Sequence, residues 1–272
     1  MQIVIYILLI LLCIFIILAI VSHFSIDVTY YKIKNNKIDK DMKIVLLSDL
    51  HNRNLNDKIV NVINSEKPDL IIMSGDMINE KLKYTHNFIK LCNKLQKYNI
   101  YYTYGNHEEY LRDLDRIEYD EIISTKNIIV LNDKSISLTK NIKLYGIKLE
   151  SEYYDIFNRK EVNKEEINDR LGLVNEDKYN ILIAHNPLDA KEYSKYGFDL
   201  TLSGHVHGGL IILPFIGPVL APEFKLFPKY SRGIYEINKM KLLVSRGLGY
   251  SRKIPVRVLN NPEVVVINLM KE

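Results

Sequence analysis

The chain has 272 residues, enough for one large domain or two small ones, and is 47% hydrophobic and 26% charged. This composition is ordinary for a globular protein. Its net charge of +4 is too small to indicate nucleic-acid binding by itself, so no nucleic-acid partner is expected. The two cysteines are Cys13, in an apolar run, and Cys92, in a predicted helix. They exclude a disulfide-based scaffold.

The first feature along the chain is an uninterrupted apolar stretch from Ile3 to Val21. As a helix rising ~1.5 Å per residue it would span roughly 28 Å, close to the thickness of a bilayer core. The stretch lacks the basic start and the small-residue cleavage site of a signal peptide. We therefore predict a retained transmembrane anchor over residues 1–22, with a cleaved signal peptide as the alternative.

The next segment, residues 23–42, is polar and rich in lysine. It is either a linker or, because Val28 to Ile33 alternates in polarity, a first edge strand. Its lysines are Lys32, Lys34, Lys37 and Lys40. By the positive-inside rule they predict that this flank, and the domain behind it, lie on the cytoplasmic face of a single-pass membrane protein; the alternative is that they only solvate a linker.

From Lys43 onward, apolar β-branched runs alternate with helical spacing in blocks of about thirty residues, the size of a βαβ unit. Strands this apolar favour a sheet covered on both faces. The predicted strands are 43–47, 69–73, 100–104, 128–131, 135–138, 142–146, 179–184 and 199–203, and the predicted helices are 55–65, 85–98 and 108–124. Three later runs, 234–237, 242–245 and 264–269, are predicted to be strands of a second sheet.

Two segments carry no motif. Residues 148–173 are charged and are either a cap or a solvated helix and loop. Residues 210–227 are apolar and rich in proline. They are either a rim for a lipid-linked substrate or core between the sheets.

Polar motifs follow five of the predicted strands at their carboxyl ends, where ligands bind in open α/β sheets. The motifs are Asp49-x-His51, Gly75-Asp76, Gly105-Asn106-His107-Glu108, His185, and Gly204-His205-x-His207. Carboxylate, amide and imidazole ligands suit Mn, Fe and Zn ions. The motifs contain no cysteine, which excludes a structural zinc site of the thiolate type.

This ordered series of motifs resembles the calcineurin-like metallophosphoesterase superfamily from about Lys43 to the C-terminus. The stretches from Val244 to Ser251 and from Ile254 to Glu263 are similar to its membrane-tethered bacterial branch, the YkuE/YaeI-like proteins. Leu210 departs from that branch, which usually has Gln there, and this affects a substrate or supporting contact. The resemblance implies an α/β fold over 43–272: two packed mixed β-sheets flanked by helices, an α/β/β/α sandwich behind the N-terminal transmembrane helix.

The resemblance also implies two divalent metal ions, Mn, Zn or Fe, bridged by Asp76. The ligands of one ion would be Asp49, His51, Asp76 and His207. The ligands of the other would be Asp76, Asn106, His185 and His205.

Four further residues complete the predicted site. By resemblance, His107 contacts the phosphoryl group and protonates the leaving oxygen. Glu108 either orients His107 or is a helix N-terminal acid favoured by the dipole. Arg53 and Arg246 are candidates to bind substrate phosphate through bidentate contacts, with a structural role as the alternative for each.

The reaction implied by the resemblance is hydrolysis of a phosphoester or pyrophosphate bond by metal-activated hydroxide. The substrate would be a phosphorylated small molecule or a lipid-linked phosphate, such as the UDP-diacylglucosamine pyrophosphate cleaved by relatives of this branch. One alternative is a nucleotide or cyclic-nucleotide phosphodiesterase. Another is a non-catalytic scaffold of the same fold, but such scaffolds usually lack ligands, and the seven predicted ligands and His107 are present here.

Overall fold

The structure is a computed structural model that describes residues 2–111, 113–124, 126–155, 157–209, 211–213, 215–220, 226–250 and 257–272. Leu210 and residues 251–256, which include part of the stretches that carried the resemblance, lie outside these residues. The chain begins with helix α1 (Gln2–Phe24), an apolar helix long enough to cross a membrane and exposed along most of its length.

The remaining elements alternate along the chain, as the sequence predicts. The other helices are α2 (Asn56–Glu66), α3 (His86–Lys94), α4 (Asn106–Glu109), α5 (Asp113–Ser124), α6 (Lys164–Leu171) and α7 (Ala190–Tyr196). The strands are β1 (Asp27–Asn35), β2 (Met42–Leu47), β3 (Leu70–Met73), β4 (Ile100–Tyr102), β5 (Ile128–Val130), β6 (Lys134–Ser137), β7 (Ile142–Ile147), β8 (Tyr179–Ala184), β9 (Leu200–Ser203), β10 (Ile211–Leu213), β11 (Gly217–Leu220), β12 (Gly233–Ile237), β13 (Met240–Val244) and β14 (Glu263–Lys271).

The first sheet has the strand order β1-β14-β2-β3-β4-β5. Its strand β1 covers the segment for which a linker and an edge strand were both predicted, and it pairs in parallel with β14 along its whole length. Only Ser25 and Ile26 therefore separate α1 from the sheet. The prediction that 264–269 belongs to the second sheet is wrong, because β14 pairs with β1 and β2. An apolar strand that is buried on both faces can belong to either sheet. The composition of residues 264–269 therefore does not show which strands they pair with.

The second sheet has the order β12-β13-β9-β8-β7-β6 and includes the predicted strands at 234–237 and 242–245. The two sheets pack face to face, and helices cover their outer faces. In β2, Ile44 and Leu46 point toward the second sheet, whereas Val45 and Leu47 point toward the outer helical layer. This alternation is the period-two pattern of a strand buried on both sides. It confirms the α/β/β/α sandwich.

Several boundaries differ from the predictions. The predicted helix 108–124 is two helices, α4 and α5. Within 148–173, α6 buries Ile167 against the outer face of the second sheet, so this part of the segment belongs to the helical layer. In 210–227, the described part forms the β10–β11 hairpin, whose Leu213, Phe215 and Ile216 are exposed. These three side chains are therefore not core between the sheets.

Candidate metal centre

The predicted motifs lie directly after β2, β3, β4, β8 and β9, in short loops and, after β4, at the start of α4. Because these strands run parallel to their neighbours, their carboxyl ends meet at one edge of the sandwich. Asp49, His51, Asp76, His205 and His207 all have positive φ angles, between 48° and 73°. Non-glycine residues rarely adopt this conformation, and strain of this kind concentrates at functional sites.

Glycines in the motifs allow the loops to approach one another closely. A Cβ atom on Gly105 would lie 2.3 Å from Asp76 Oδ1. A Cβ atom on Gly204 would lie 2.4 Å from Asp49 Oδ2. Both contacts are far shorter than van der Waals distance, so a larger residue at either position would displace a predicted metal ligand.

Three groups of side chains place their ligand atoms within 4.8 Å of one another. The groups are Asp49, His51 and His207; His51, Asp76 and His107; and Asp76, His185 and His205. Two of them match the predicted ligand sets of the two ions. Asn106, the remaining predicted ligand, is buried at the start of α4 beside the same loops.

Asp76 lies between the two predicted ligand sets. Its Oδ2 atom is 3.2 Å from His185 Nε2 and 3.9 Å from His51 Nε2. Its Oδ1 atom accepts a hydrogen bond from the His107 backbone N–H at 2.8 Å. One carboxylate is thus fixed between imidazoles of opposite sets, the position that a bridging ligand requires.

The imidazole rings have the orientation that ligation requires. His185 Nδ1 lies 2.6 Å from the Ser74 carbonyl oxygen, so an Nδ1–H donating there leaves the Nε2 lone pair directed at the centre. His51 Nε2 and His207 Nε2 face each other at 3.1 Å. A cation lying beside these two neutral ring nitrogens would be bound by both of them.

Burial and neighbouring charges shift the pKa values of these groups. Burial, with His107 nearby, lowers the pKa of His51 to about 3, so this ring is neutral at pH 7, as a metal ligand must be. Burial also lowers the pKa of His185, but Asp76 outweighs burial and raises it to about 10. The space between His185 and Asp76 therefore favours a positive charge, which a metal ion supplies in place of the proton.

A second observation also supports a metal centre at these residues. Asn106 Oδ1 and His51 Nδ1 are buried and have no hydrogen-bond partner among the described residues. Buried polar atoms are nearly always paired, and an ion is one explanation for those that are not. Asn106 is a residue that the resemblance assigns to one of the two ions.

Glu108 is fully buried, but its hydrogen bonds are not to His107. Its carboxylate accepts the backbone N–H groups of Asp76, Met77, Ile78 and Gly105 at 2.7 to 3.2 Å. We therefore correct the predicted orienting contact. The side chain joins the loop after β3 to the loop after β4, because four otherwise unpaired backbone donors converge on it.

His107 faces the centre without belonging to either predicted ligand set. Its Nε2 atom is 3.9 Å from Asp76 Oδ2, and its ring centroid is 4.4 Å from that of His51. Glu80 Oε1 lies 4.0 Å from Nδ1 on the other side of the ring. The His107 ring therefore lies beside the predicted metal ligands, within reach of a leaving oxygen.

The two predicted phosphate-binding arginines make other contacts. Arg53 donates to the carbonyl oxygens of Leu248 and His23, and its guanidinium lies over the Tyr250 ring. Arg246 pairs with Asp27 at 3.0 Å and Glu263 at 3.2 Å. These contacts support the structural alternative for both residues.

Sequence reasoning missed two residues that hold His207. Arg257 Nη2 lies 3.2 Å from His207 Nδ1, and Asn260 Nδ2 donates to the His207 carbonyl oxygen at 2.8 Å. Both residues are buried. The available signal was a pair of polar residues just before the apolar run of β14, in a stretch that already carried the resemblance.

Two packed sheets bring candidate carboxylate, amide and imidazole ligands to one edge, with Asp76 between the two predicted sets, and this is the arrangement of a metal-dependent hydrolase. The chain belongs to the calcineurin-like phosphoesterase family, whose model matches residues 42–209. Its membership makes it a hydrolase of phosphoric esters. The family is a dimetal one, in agreement with the clustered ligands.

Relatives extend the match beyond the family model. The chain is 30% identical to the metallophosphoesterase YkuE of Bacillus subtilis (strain 168), over 90% of this chain and 85% of that protein. It is 32% identical to a metallophosphoesterase of Helicobacter pylori (strain ATCC 700392 / 26695), over 86% of this chain but only 61% of that protein. The solved structure of TT1561 from Thermus thermophilus has a TM-score of 0.51 at 10% identity, covering 77% of this chain and 92% of that one, and shows the fold alone.

Proposed function

We propose that the protein is a membrane-anchored phosphohydrolase that uses two divalent ions to cleave a phosphoester or pyrophosphate bond of a lipid-linked substrate. The observation that carries the chemistry is the position of Asp76 between two sets of ligand atoms. When bound there, two divalent ions would activate water and stabilise charge on the phosphoryl oxygens. Mn, Fe and Zn all suit this mixture of ligands.

The protein's own residues have distinct roles in this proposal. Asp49, His51 and His207 would hold one ion with Asp76, and Asn106, His185 and His205 would hold the other. His107 would protonate the leaving oxygen, because its ring faces the centre without belonging to either set. General acid catalysis of this kind contributes typically 10²–10⁴-fold.

The membrane part of the proposal rests on α1. The helix is apolar and its side chains are exposed, so it lacks the protein environment that a soluble core helix would have. A bilayer would bury this surface. The lysines that follow α1 support a cytoplasmic position of the catalytic domain.

The reaction is tested with purified full-length protein in lipid nanodiscs. We expect Mn²⁺ or Zn²⁺ to support hydrolysis of bis(p-nitrophenyl) phosphate and of a nucleotide–lipid pyrophosphate, and chelation to abolish both. A higher kcat/KM for the lipid pyrophosphate than for its deacylated analogue would support a lipid-linked substrate. Absence of turnover with each metal and each substrate would contradict the proposed activity.

Membrane anchoring is tested separately by alkaline carbonate extraction of cell membranes. We expect the full-length chain to stay in the pellet, because burial of an apolar helix is far stronger than surface charge contacts. A mature protein beginning near Ser22 would instead show that the helix is a cleaved signal peptide.

A further inference from the structure

The C-terminal end of α1 is fixed to the catalytic domain. Arg53 donates to the His23 carbonyl oxygen, and Lys58 donates to the Phe24 carbonyl oxygen at 2.5 Å. Cations at the last carbonyls of a helix satisfy unpaired acceptors and complement the helix dipole. With only two residues between α1 and β1, the domain is held against the helix end and does not hang from a flexible tether.

The part of the domain that receives α1 also supports the metal loops. Arg53 is two residues from His51, and the Tyr250 ring stacks on the His23 ring with centroids 5.2 Å apart. The preceding residue, Gly249, donates its N–H to the Asp49 carbonyl oxygen at 2.5 Å. The end of α1 and a predicted metal ligand thus contact the same short segment.

A groove of about 420 Å³ lies between α1 and this segment. This volume is within the range of small-molecule sites. Its helical wall is formed by Phe15, Ile16, Ala19 and Ile20, and Tyr250 and Arg257 line the domain side. Residues at this spacing share one face of a helix, so the wall is continuous and apolar along α1.

The two ends of the groove differ in chemistry. Toward the middle of α1 it is bounded by the same apolar surface that the membrane proposal places in lipid. At the other end is the guanidinium of Arg257, which contacts His207 of the metal centre. A groove with the apolar face of α1 at one end and a cation beside the candidate metal centre at the other matches an amphiphile with an alkyl chain and a phosphate.

We propose that this groove binds an acyl chain of the lipid-linked substrate while its phosphoester lies at the metal centre. This inference rests on the proposed function and adds to it the site that recognises the chain. It makes α1 a part of the substrate site in addition to an anchor. Substitutions on the groove face of α1 should then change specificity for chain length without changing the chemistry.

The test is a chain-length comparison in nanodiscs, with ethyl p-nitrophenyl phosphate and octyl p-nitrophenyl phosphate as probes. Ile16→Trp fills the groove, and Ile14→Trp makes the same change on the opposite face of α1. Each methylene buried contributes about 0.8 kcal/mol, so we expect the octyl ester to have at least about tenfold higher kcat/KM in the wild type. Ile16→Trp should lose this gain and keep the ethyl rate, whereas Ile14→Trp should keep both.

Ala19→Phe is a second groove variant, included in case Ile16→Trp does not insert or fold. It should also lose the preference for the octyl ester. If the groove variants keep the wild-type chain-length preference, the acyl-chain site is wrong and the phosphohydrolase proposal stands. If the ethyl rate falls equally in the groove variants and in Ile14→Trp, the helix acts on folding alone and the groove assignment fails. Absence of turnover in the wild type would overturn the proposed function itself.

Discussion

The two sheets contribute unlike halves of the metal centre. Loops of the first sheet supply both carboxylates, the amide, one imidazole and His107, and Glu108 joins two of these loops through backbone amides. Loops of the second sheet supply three imidazoles; Arg257 and Asn260 hold the His207 backbone, and the Asp49 carboxylate holds the His205 backbone. The carboxylates and His107, the proposed acid, thus lie on one side of the centre, and predicted nitrogen ligands of the other sheet complete it.

This difference predicts which of the two ions a substitution in either sheet should affect. In the first sheet, a change at Asp76 should reach both ions, because Asp76 is the proposed shared ligand. A change in the second sheet should affect the one ion that its histidine binds. The following predictions test this asymmetry.

The largest effect is expected for Asp76→Ala. It removes the carboxylate between the two ligand sets, so both ions should be lost, and activity should fall on the order of 10⁴-fold, about 5 kcal/mol of transition-state stabilisation. Elemental analysis and phosphodiesterase assays measure the two effects. Asp57→Ala, a change at an exposed acid on α2, is the control. Retention of both metals and of activity would show that Asp76 is not the bridge.

His107→Ala tests the acid on the same side of the centre. Metal content should be unchanged, and kcat should fall by roughly 10²–10⁴-fold on a substrate with a poor leaving group. The loss should shrink with p-nitrophenolate, which needs little protonation. An equal loss on both substrates would assign His107 to stabilising the phosphoryl oxygens, and loss of a metal would make it a ligand or its support.

The clustering of the predicted ligands could be anticipated from the sequence, because each of them lies just after an apolar strand. A parallel strand fixes where its carboxyl end lies, so Asp49, Asp76 and His185 needed no long-range information beyond strand order. The sheet that receives β14 could not be predicted in this way, since burial on both faces is the same in either sheet. The structural role of Arg53 could not be predicted either. It depends on the packing of α1 against the domain, a contact between segments 30 residues apart that no local pattern encodes.

Glu108→Gln tests the brace between the loops of the first sheet. The amide keeps one acceptor oxygen but turns an NH₂ group toward backbone N–H donors, and each unpaired buried donor costs ≈1–3 kcal/mol. We expect the free energy of unfolding to fall by about 2–4 kcal/mol, and Tm by roughly 2–4 °C for each kcal/mol in a chain of this size.

Chemical denaturation measures the loss in Glu108→Gln directly. The matched control is Glu118→Gln on α5, an exposed position where surface substitutions change stability by less than about 0.5 kcal/mol. If both variants are equally stable, the four amide contacts of Glu108 are not what holds the two loops together.

The smallest effect is expected in the second sheet's half of the centre. Asn260 touches no predicted ligand atom, but its Nδ2 donates to the His207 carbonyl oxygen at 2.8 Å and also to the Gly209 carbonyl oxygen. His207 has a positive φ angle of 51°, so its loop needs support to keep the ring in place. Loss of such outer contacts typically lowers metal affinity 10–100-fold.

We therefore expect Asn260→Ala to weaken one ion by about 10–100-fold and to leave the other unchanged, because His207 belongs to one ligand set only. Metal titration with chelator competition separates the two affinities, and thermal unfolding checks that the variant folds. Asn261→Ala is the matched control, since the Asn261 side chain donates to Asp27 near the surface. Equal weakening of both ions by Asn260→Ala would contradict the asymmetry, because it would mean that the His207 loop supports the whole centre and not one half of it.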